Sequence, residues 1–281
     1  MPAATEREVF RPSGKFSPLG LAWALPVLLV AALALAFGLA WLEYTPFSLL
    51  ILVPALAGMV LGWIGLRILR AAHCRSRTLG WLIGLAFGAL MYLGSFQATV
   101  IIENGPMAIP HLEVWPAAIV FKVNNWVIGR PGAQQQGQPV PVINWILFAA
   151  ELGIASALSG YAMAEVASRG YCERCEKWMS TKTVDLAANE AAKVAHAIGA
   201  NSFPELEPLR SRTANAQEYS QLEVEGCLHG GSGDDANFFL TAREGVYDKD
   251  RKKVELHDVV KQLQLTPDEL LMLAEKCPAL M

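Results

Sequence analysis

Residues 19–42 run for 24 positions without a charged side chain, and residues 79–102 do so again. Either stretch, wound as a helix rising 1.5 Å per residue, exceeds the roughly 30 Å of a bilayer's hydrocarbon layer. Residues 47–66 form a third uncharged stretch, and residues 143–163 a fourth that carries one acid, Glu151. Four such runs within 170 residues predict four transmembrane helices rather than core helices of one large globule. The apolar core of the first is too long for the short hydrophobic region of a cleaved signal peptide.

The charges divide the chain in two. Residues 1–169 hold 10 basic and 7 acidic side chains, whereas residues 170–281 hold 13 basic and 19 acidic ones. A soluble globule or a disordered chain would not segregate charge in this way, and 5 cysteines are too few for a disulfide-built secreted scaffold. The water-soluble part is acidic, so nucleic acid is not the partner expected. The expected fold is an α-helical membrane bundle of four transmembrane helices followed by a small α+β soluble domain. Its parts are an N-terminal tail (1–18), a transmembrane domain (19–165) with an outer loop (103–142), and a tail domain (170–281).

Lysines and arginines near the span ends predict the orientation. Arg7, Arg11 and Lys15 precede the first span, Arg67, Arg70, Arg75 and Arg77 separate the second from the third, and Arg169, Arg174, Lys177 and Lys182 follow the fourth. The opposite side has no basic residue in 43–46 and only Lys122 and Arg130 in 103–142. Both termini are therefore expected in the cytoplasm, with Trp41, Trp81 and Trp145 anchoring span ends at the interface.

Inside the spans, Gly80, Gly84 and Gly88 recur every four residues, and Gly58 and Gly62 repeat the spacing. Glycine lets a neighbouring helix backbone come close. The stripes predict packing within the bundle, with homo-oligomerisation as the other reading. Glu151 falls near the mid-plane of the fourth span, where a carboxyl group must face protein or water. It is read either as a hydrogen-bonded acid, with Tyr92, Gln97 or Thr99 as its partner, or as a proton or cation site. In the outer loop, Trp115, Ile119, Val123 and Trp126 recur at helical spacing while Phe121 falls off the stripe. A surface helix and a loop packed on the bundle are the two readings, followed by an irregular linker (129–141).

The tail opens with Cys172 and Cys175 in a Cys-x-x-Cys turn, and Cys227-Leu228-His229 follows later. Two thiolates on one knuckle suit two corners of a tetrahedral zinc site. Cys172, Cys175, Cys227 and His229 would complete it, with structural zinc as the cofactor. A metal-free knuckle and a redox dithiol are the alternatives. In between, residues 183–198 and 203–217 read as helices and 218–225 as a strand. Residues 237–243 and a strand near Val254 read as a hairpin, and 256–263 as a short amphipathic helix. Thr266-Pro267-Asp268-Glu269 is a helix start, with a cap, a first-turn proline and acids on the helix dipole.

The order of these parts resembles a group of functionally uncharacterised bacterial four-span inner-membrane proteins. The residues that carry the resemblance are Phe10-Arg11-Pro12-Ser13-Gly14-Lys15, Tyr44-Thr45-Pro46 after the first span, Trp145 and Glu151 in the fourth, and Cys172, Cys175 and Trp178. The resemblance implies a bacterial inner-membrane location and a zinc-ribbon-like cytoplasmic tail. The second knuckle departs from the paired cysteines of such ribbons. It implies an architecture and no activity.

Three functions fit these residues. The first is a membrane scaffold or interaction protein whose tail docks a cytosolic or membrane protein. The second is a small transporter or proton-linked channel using Glu151, and the third a membrane redox protein using Cys172 and Cys175. No nucleophile–base pair, phosphate loop or metal-hydrolase motif points to an enzyme.

Overall fold

The computed structural model describes residues 13–42, 51–105, 115–125, 141–172, 176–200, 202–213, 217–227, 238–248, 251 and 253–280. The chain forms two compact units, one of residues 13–168 and one whose described part is residues 169–280.

The first unit is helical. Its elements are α1 (Pro18–Leu42), α2 (Leu52–Ala71), α3 (Arg77–Asn104), α4 (Trp115–Asn125) and α5 (Pro141–Ala164), which a 3-10 turn, Glu165–Ser168, continues. Among the described residues, four helices are long and apolar enough to cross a membrane: α1, α2, α3, and α5 with its 3-10 extension. Helix α5 packs on α2 and α3, and α1 packs on the same two. The four form a ring with α1 and α5 on one diagonal and α2 and α3 on the other. Large apolar side chains point outward on every span, among them Val30, Met59, Leu82 and Ile146. Such an exterior suits a lipid solvent, and hydrophobic burial then cannot hold the helices together. Close backbone contact must do so instead.

The outer loop contains a helix. In α4, Val123 is buried and Phe121 is 71% exposed, as its place off the apolar stripe predicts. Trp126, His111, Glu113 and the 129–140 linker lie outside the described residues.

The second unit is α+β. A two-stranded hairpin, β1 (Tyr171–Cys172) and β2 (Lys177–Trp178), leads into an antiparallel sheet of order β3-β4-β5-β6. These strands are β3 (Ser180–Ala187), β4 (Tyr219–Gly226), β5 (Phe238–Asp248) and β6 (Lys253–Leu265). Helix α6 (Glu190–Ala200) covers one face, and α7 (Pro267–Lys276) closes the core at its end. Leu186, Leu222, Leu240 and Leu265, one from each strand, are at most 1% exposed and meet Val194, Ile198 and Leu273 of the helices.

Three expectations for the tail are corrected. Residues 183–198 are not one helix: strand β3 ends at a turn where Asn189 takes φ 66°, and α6 starts at Glu190. Thr181, Thr183 and Val184 favour the pleated half, and Asn tolerates the left-handed turn. Among the described residues of 203–217, only the 3-10 turn Phe203–Glu205 is helical. Pro208 holds Glu207 away from helical angles, and the chain runs along the edge of β3, with Ala187 N–H donating to Arg210 O at 2.8 Å. Residues 256–263 are strand rather than amphipathic helix. The β5–β6 register shifts twice between Leu240 and Arg243, so Val260 and Leu263, three residues apart, both face the core. Bulges of this kind counterfeit helical spacing in a strand. The strand read at 218–225 is β4. Helix α7 starts at the anticipated cap: Thr266 Oγ1 accepts from Glu269 N–H at 3.2 Å, and Thr266 N–H donates to Glu269 Oε2 at 2.9 Å.

Candidate functional site

Glu151 sits midway along α5 and is 3% exposed. Tyr92 of α3 donates its hydroxyl to Glu151 Oε2 at 2.6 Å. Of the three partners anticipated, the structure places Tyr92 there. Thr99 donates instead to Ser95 O on its own helix, at 3.0 Å. A buried carboxyl group without a donor would be costly in such a medium, and a short hydrogen bond offsets part of that. The rings of Phe96 and Phe148 flank Tyr92 at 5.6 and 5.7 Å, and Trp145 stacks edge-on against Phe148 at 5.4 Å. The donor to the carboxyl group is therefore packed among aromatic rings that lead toward the α5 N-terminus. Phe96 and Phe148 drew no attention in the sequence. Their signal was spacing: Phe96 is four residues from Tyr92, and Phe148 three from Glu151.

At the α5 N-terminus, Asn144 Nδ2 donates to Val123 O at 2.8 Å, and Trp145 Nε1 to Asn124 Oδ1 at 2.9 Å. Both bonds tie α4 to α5.

The glycine stripes meet α5 on two sides. A Cβ at Gly84 would lie 2.6 Å from Gly160 Cα, and one at Gly88 would lie 2.7 Å from Ser156 Cα. Real side chains do not tolerate such distances, so α3 and α5 touch backbone to backbone at this point. Gly80 abuts Met163, while Gly58 and Gly62 of α2 abut Ala155 and Ala162. Helix α5 is thus the common partner of both stripes and the carrier of the buried acid.

In the second unit, Cys172 lies on the hairpin that leads into β3. Cys172 pairs with Lys177 across the β1–β2 hairpin, and the Tyr171 and Trp178 rings meet edge-on at 5.2 Å. Gly170 N–H donates to Glu225 Oε2 at 3.0 Å, and Gly170 O accepts from Met179 N–H at 2.9 Å. Cys227 directly follows the Gly226 end of β4, where Ser180 Oγ donates to Gly226 O at 3.0 Å. The chain that enters the first knuckle is therefore pinned beside the strand that leads to Cys227. Cys172 and Cys227 are half-buried. Cys175 and His229 lie outside the described residues, and among the described residues no three metal-ligating side chains cluster.

Glu225 was not singled out in the sequence. It is 7% exposed, and burial pushes its carboxyl pKa up, against the opposing Gly170 N–H and with help from nearby Glu223. Burial likewise raises the Cys277 thiol.

Comparison of the chain with protein-family models, with curated proteins and with solved structures finds no match.

Proposed function

We propose that this protein is a membrane-embedded scaffold: a packed four-helix anchor presenting an acidic α+β domain to a protein partner, without enzymatic activity of its own. Both termini face the cytoplasm, and the membrane is a bacterial inner membrane. The observation that carries this reading is the Glu151–Tyr92 bond, buried at a backbone-close crossing of helices. A carboxyl group held by a tyrosine of a neighbouring helix, whose ring packs against Phe96 and Phe148, serves to lock helices together. The four candidate spans among the described residues, with basic residues gathered at one set of ends, support the shared side of the termini. Structural zinc at Cys172, Cys175, Cys227 and His229 belongs to the same proposal. It is supported by the approach of the first knuckle to the strand that ends beside Cys227. An antiparallel sheet after the knuckle suits a structural role better than the βαβ surround of a redox dithiol.

Transport through Glu151 is the second reading, favoured by the burial of an acid in a candidate span. Proton flux into proteoliposomes holding the full chain separates the two. The scaffold reading expects no flux above empty vesicles for the parent protein or for Glu151→Gln. Flux in the parent that vanishes in the variant would establish the transporter. A reporter at Met281 that faces outward would overturn the orientation. Metal analysis of the purified full chain tests the zinc, with one equivalent expected and loss in Cys172→Ser.

A further inference from the structure

The ends of the helical unit that include the α2–α3 turn carry a pattern beyond simple orientation. Arg67, four residues after Trp63 on α2, stacks its guanidinium over that indole at 4.9 Å. On α3, Arg77 precedes Trp81 by the same four residues. All four side chains are exposed. In each pair the tryptophan lies one turn deeper along its span than the arginine, about 6 Å at 1.5 Å per residue. The turn also gathers a cation from a distant part of the chain: Arg75 N–H donates to Lys15 O at 2.9 Å, which brings the exposed Lys15 to the start of α3. Arg70 is used differently. It donates to Glu165 O at 2.9 Å and so caps the end of α5. None of the ion pairs of the described residues involves Lys15, Arg67 or Arg77. Glu165 is the sole carboxylate at this end among the described residues of the unit.

We propose that this collar, Lys15, Arg67 and Arg77 above Trp63 and Trp81, binds the headgroups of anionic phospholipids in the adjacent leaflet. Charge complementarity selects an anion. The depth order selects a lipid, because cations at phosphate level with indoles one turn beneath match the layers of a membrane interface. A soluble anion would have no use for the exposed indoles. The cations also come from three separate segments and face outward rather than into a pocket. The inference rests on α1, α2 and α3 spanning a bilayer.

The test is carried out on the full chain reconstituted in vesicles of phosphatidylcholine with a minority of phosphatidylglycerol. Lipid retained by the protein after gentle extraction is quantified by mass spectrometry. The parent protein should enrich phosphatidylglycerol over its bulk fraction, and added salt should weaken that enrichment. The triple variant Lys15→Gln/Arg67→Gln/Arg77→Gln should lose preference by at least about fivefold, the worth of one interfacial cation. The charge-conserving Lys15→Arg/Arg67→Lys/Arg77→Lys should retain it. Equal enrichment in the parent and the neutral variant overturns the proposal, as does a parent preference indifferent to salt. Loss of the preference on adding inorganic phosphate, at an ionic strength where sodium chloride leaves it largely intact, overturns it in favour of a free-anion site. Failure of the parent to stay in vesicles of either lipid overturns the spanning premise instead, and so is told apart from failure of the collar.

Discussion

The two units solve the same problem, holding secondary structure together, with opposite materials. In the helical unit the exterior is apolar and the contacts that bring α3 against α5 are glycines, with a Cβ at Gly84 only 2.6 Å from Gly160 Cα. Among its buried polar side chains, Glu151 accepts from Tyr92 and Asn144 donates to Val123 O. In the α+β unit a cluster of leucines, valines and alanines is buried inside, and the outward face of the sheet is laced with charge. Arg243 reaches Glu223 at 2.6 Å and Asp258 at 2.9 Å, and Gln221 Nε2 donates to Asp185 Oδ1 at 3.0 Å. The difference follows from the solvent. Where lipid is outside, burying leucine gains nothing and shape decides. Where water is outside, burying leucine is the main driving force.

The largest effects should expose this contrast directly. Gly84→Val would force α3 off α5 and is expected to destabilise the helical unit by about 3 kcal/mol. In the α+β unit the equivalent injury is a deletion, and Leu222→Ala should cost about 3 kcal/mol through the cavity it leaves. Thermal unfolding of the full chain in detergent, followed separately by helical and by strand signals, should show each substitution lowering one transition. If Gly84→Val lowered the strand transition, the independence of the two units would be wrong.

Tyr92→Phe removes the donor to Glu151 while keeping the ring, and a loss of about 1 kcal/mol is expected. A double-mutant cycle with Glu151→Leu, which removes the acceptor, should return a coupling of similar size. Additive losses would mean that the hydrogen bond contributes nothing. Thr266→Ala deletes one arm of the capping box on α7 and should cost about 1 kcal/mol. Its check is the unfolding midpoint of the strand transition, which Thr266→Ser should leave nearly unchanged.

The smallest effect is a pH dependence. Burial makes folded Glu225 hold its proton to higher pH than the unfolded chain does. Stability from this group is therefore greatest at low pH, falls as pH rises from the ordinary carboxyl range through the raised value, and is flat above it. Glu225→Gln, which keeps an acceptor for Gly170 N–H, should show a shallower decline of the unfolding midpoint across that window. An unchanged slope would assign the dependence to other groups.

Much of the helical unit was legible in the residues. The spans expected at 19–42, 79–102 and 143–163 meet α1, α3 and α5 within two residues at each end, because span length is set by the solvent and needs no knowledge of neighbours. The second span, expected at 47–66, is described as Leu52–Ala71, and residues 43–50 lie outside the described residues. The α+β unit was harder to read. The apolar spacing of Leu256, Val259, Val260 and Leu263 is that of a helix, yet these residues belong to a bulged strand. Periodicity assumes one regular element, and a bulge or a strand–helix junction such as Ala187–Glu190 breaks that assumption. The carboxylate of Glu244 was also missed. It accepts from Asn189 N–H and Ala192 N–H, both at 3.2 Å, and so caps α6 from a different strand. No local motif could announce it.

By itself, then, the order of residues determined what depends on solvation and on near neighbours. Long runs with at most one charge made the four long helices of the described residues, and Thr266 with Glu269 started α7. Tertiary structure alone decided which groups from distant segments meet: Tyr92 as the donor to Glu151, Glu225 as the anchor of Gly170, and β5 as the template that drew residues 256–263 into a strand. Local signals act over a turn or two of chain, whereas these pairings join residues 59, 55 and 11 to 23 positions apart, where only the packed fold brings the partners within reach.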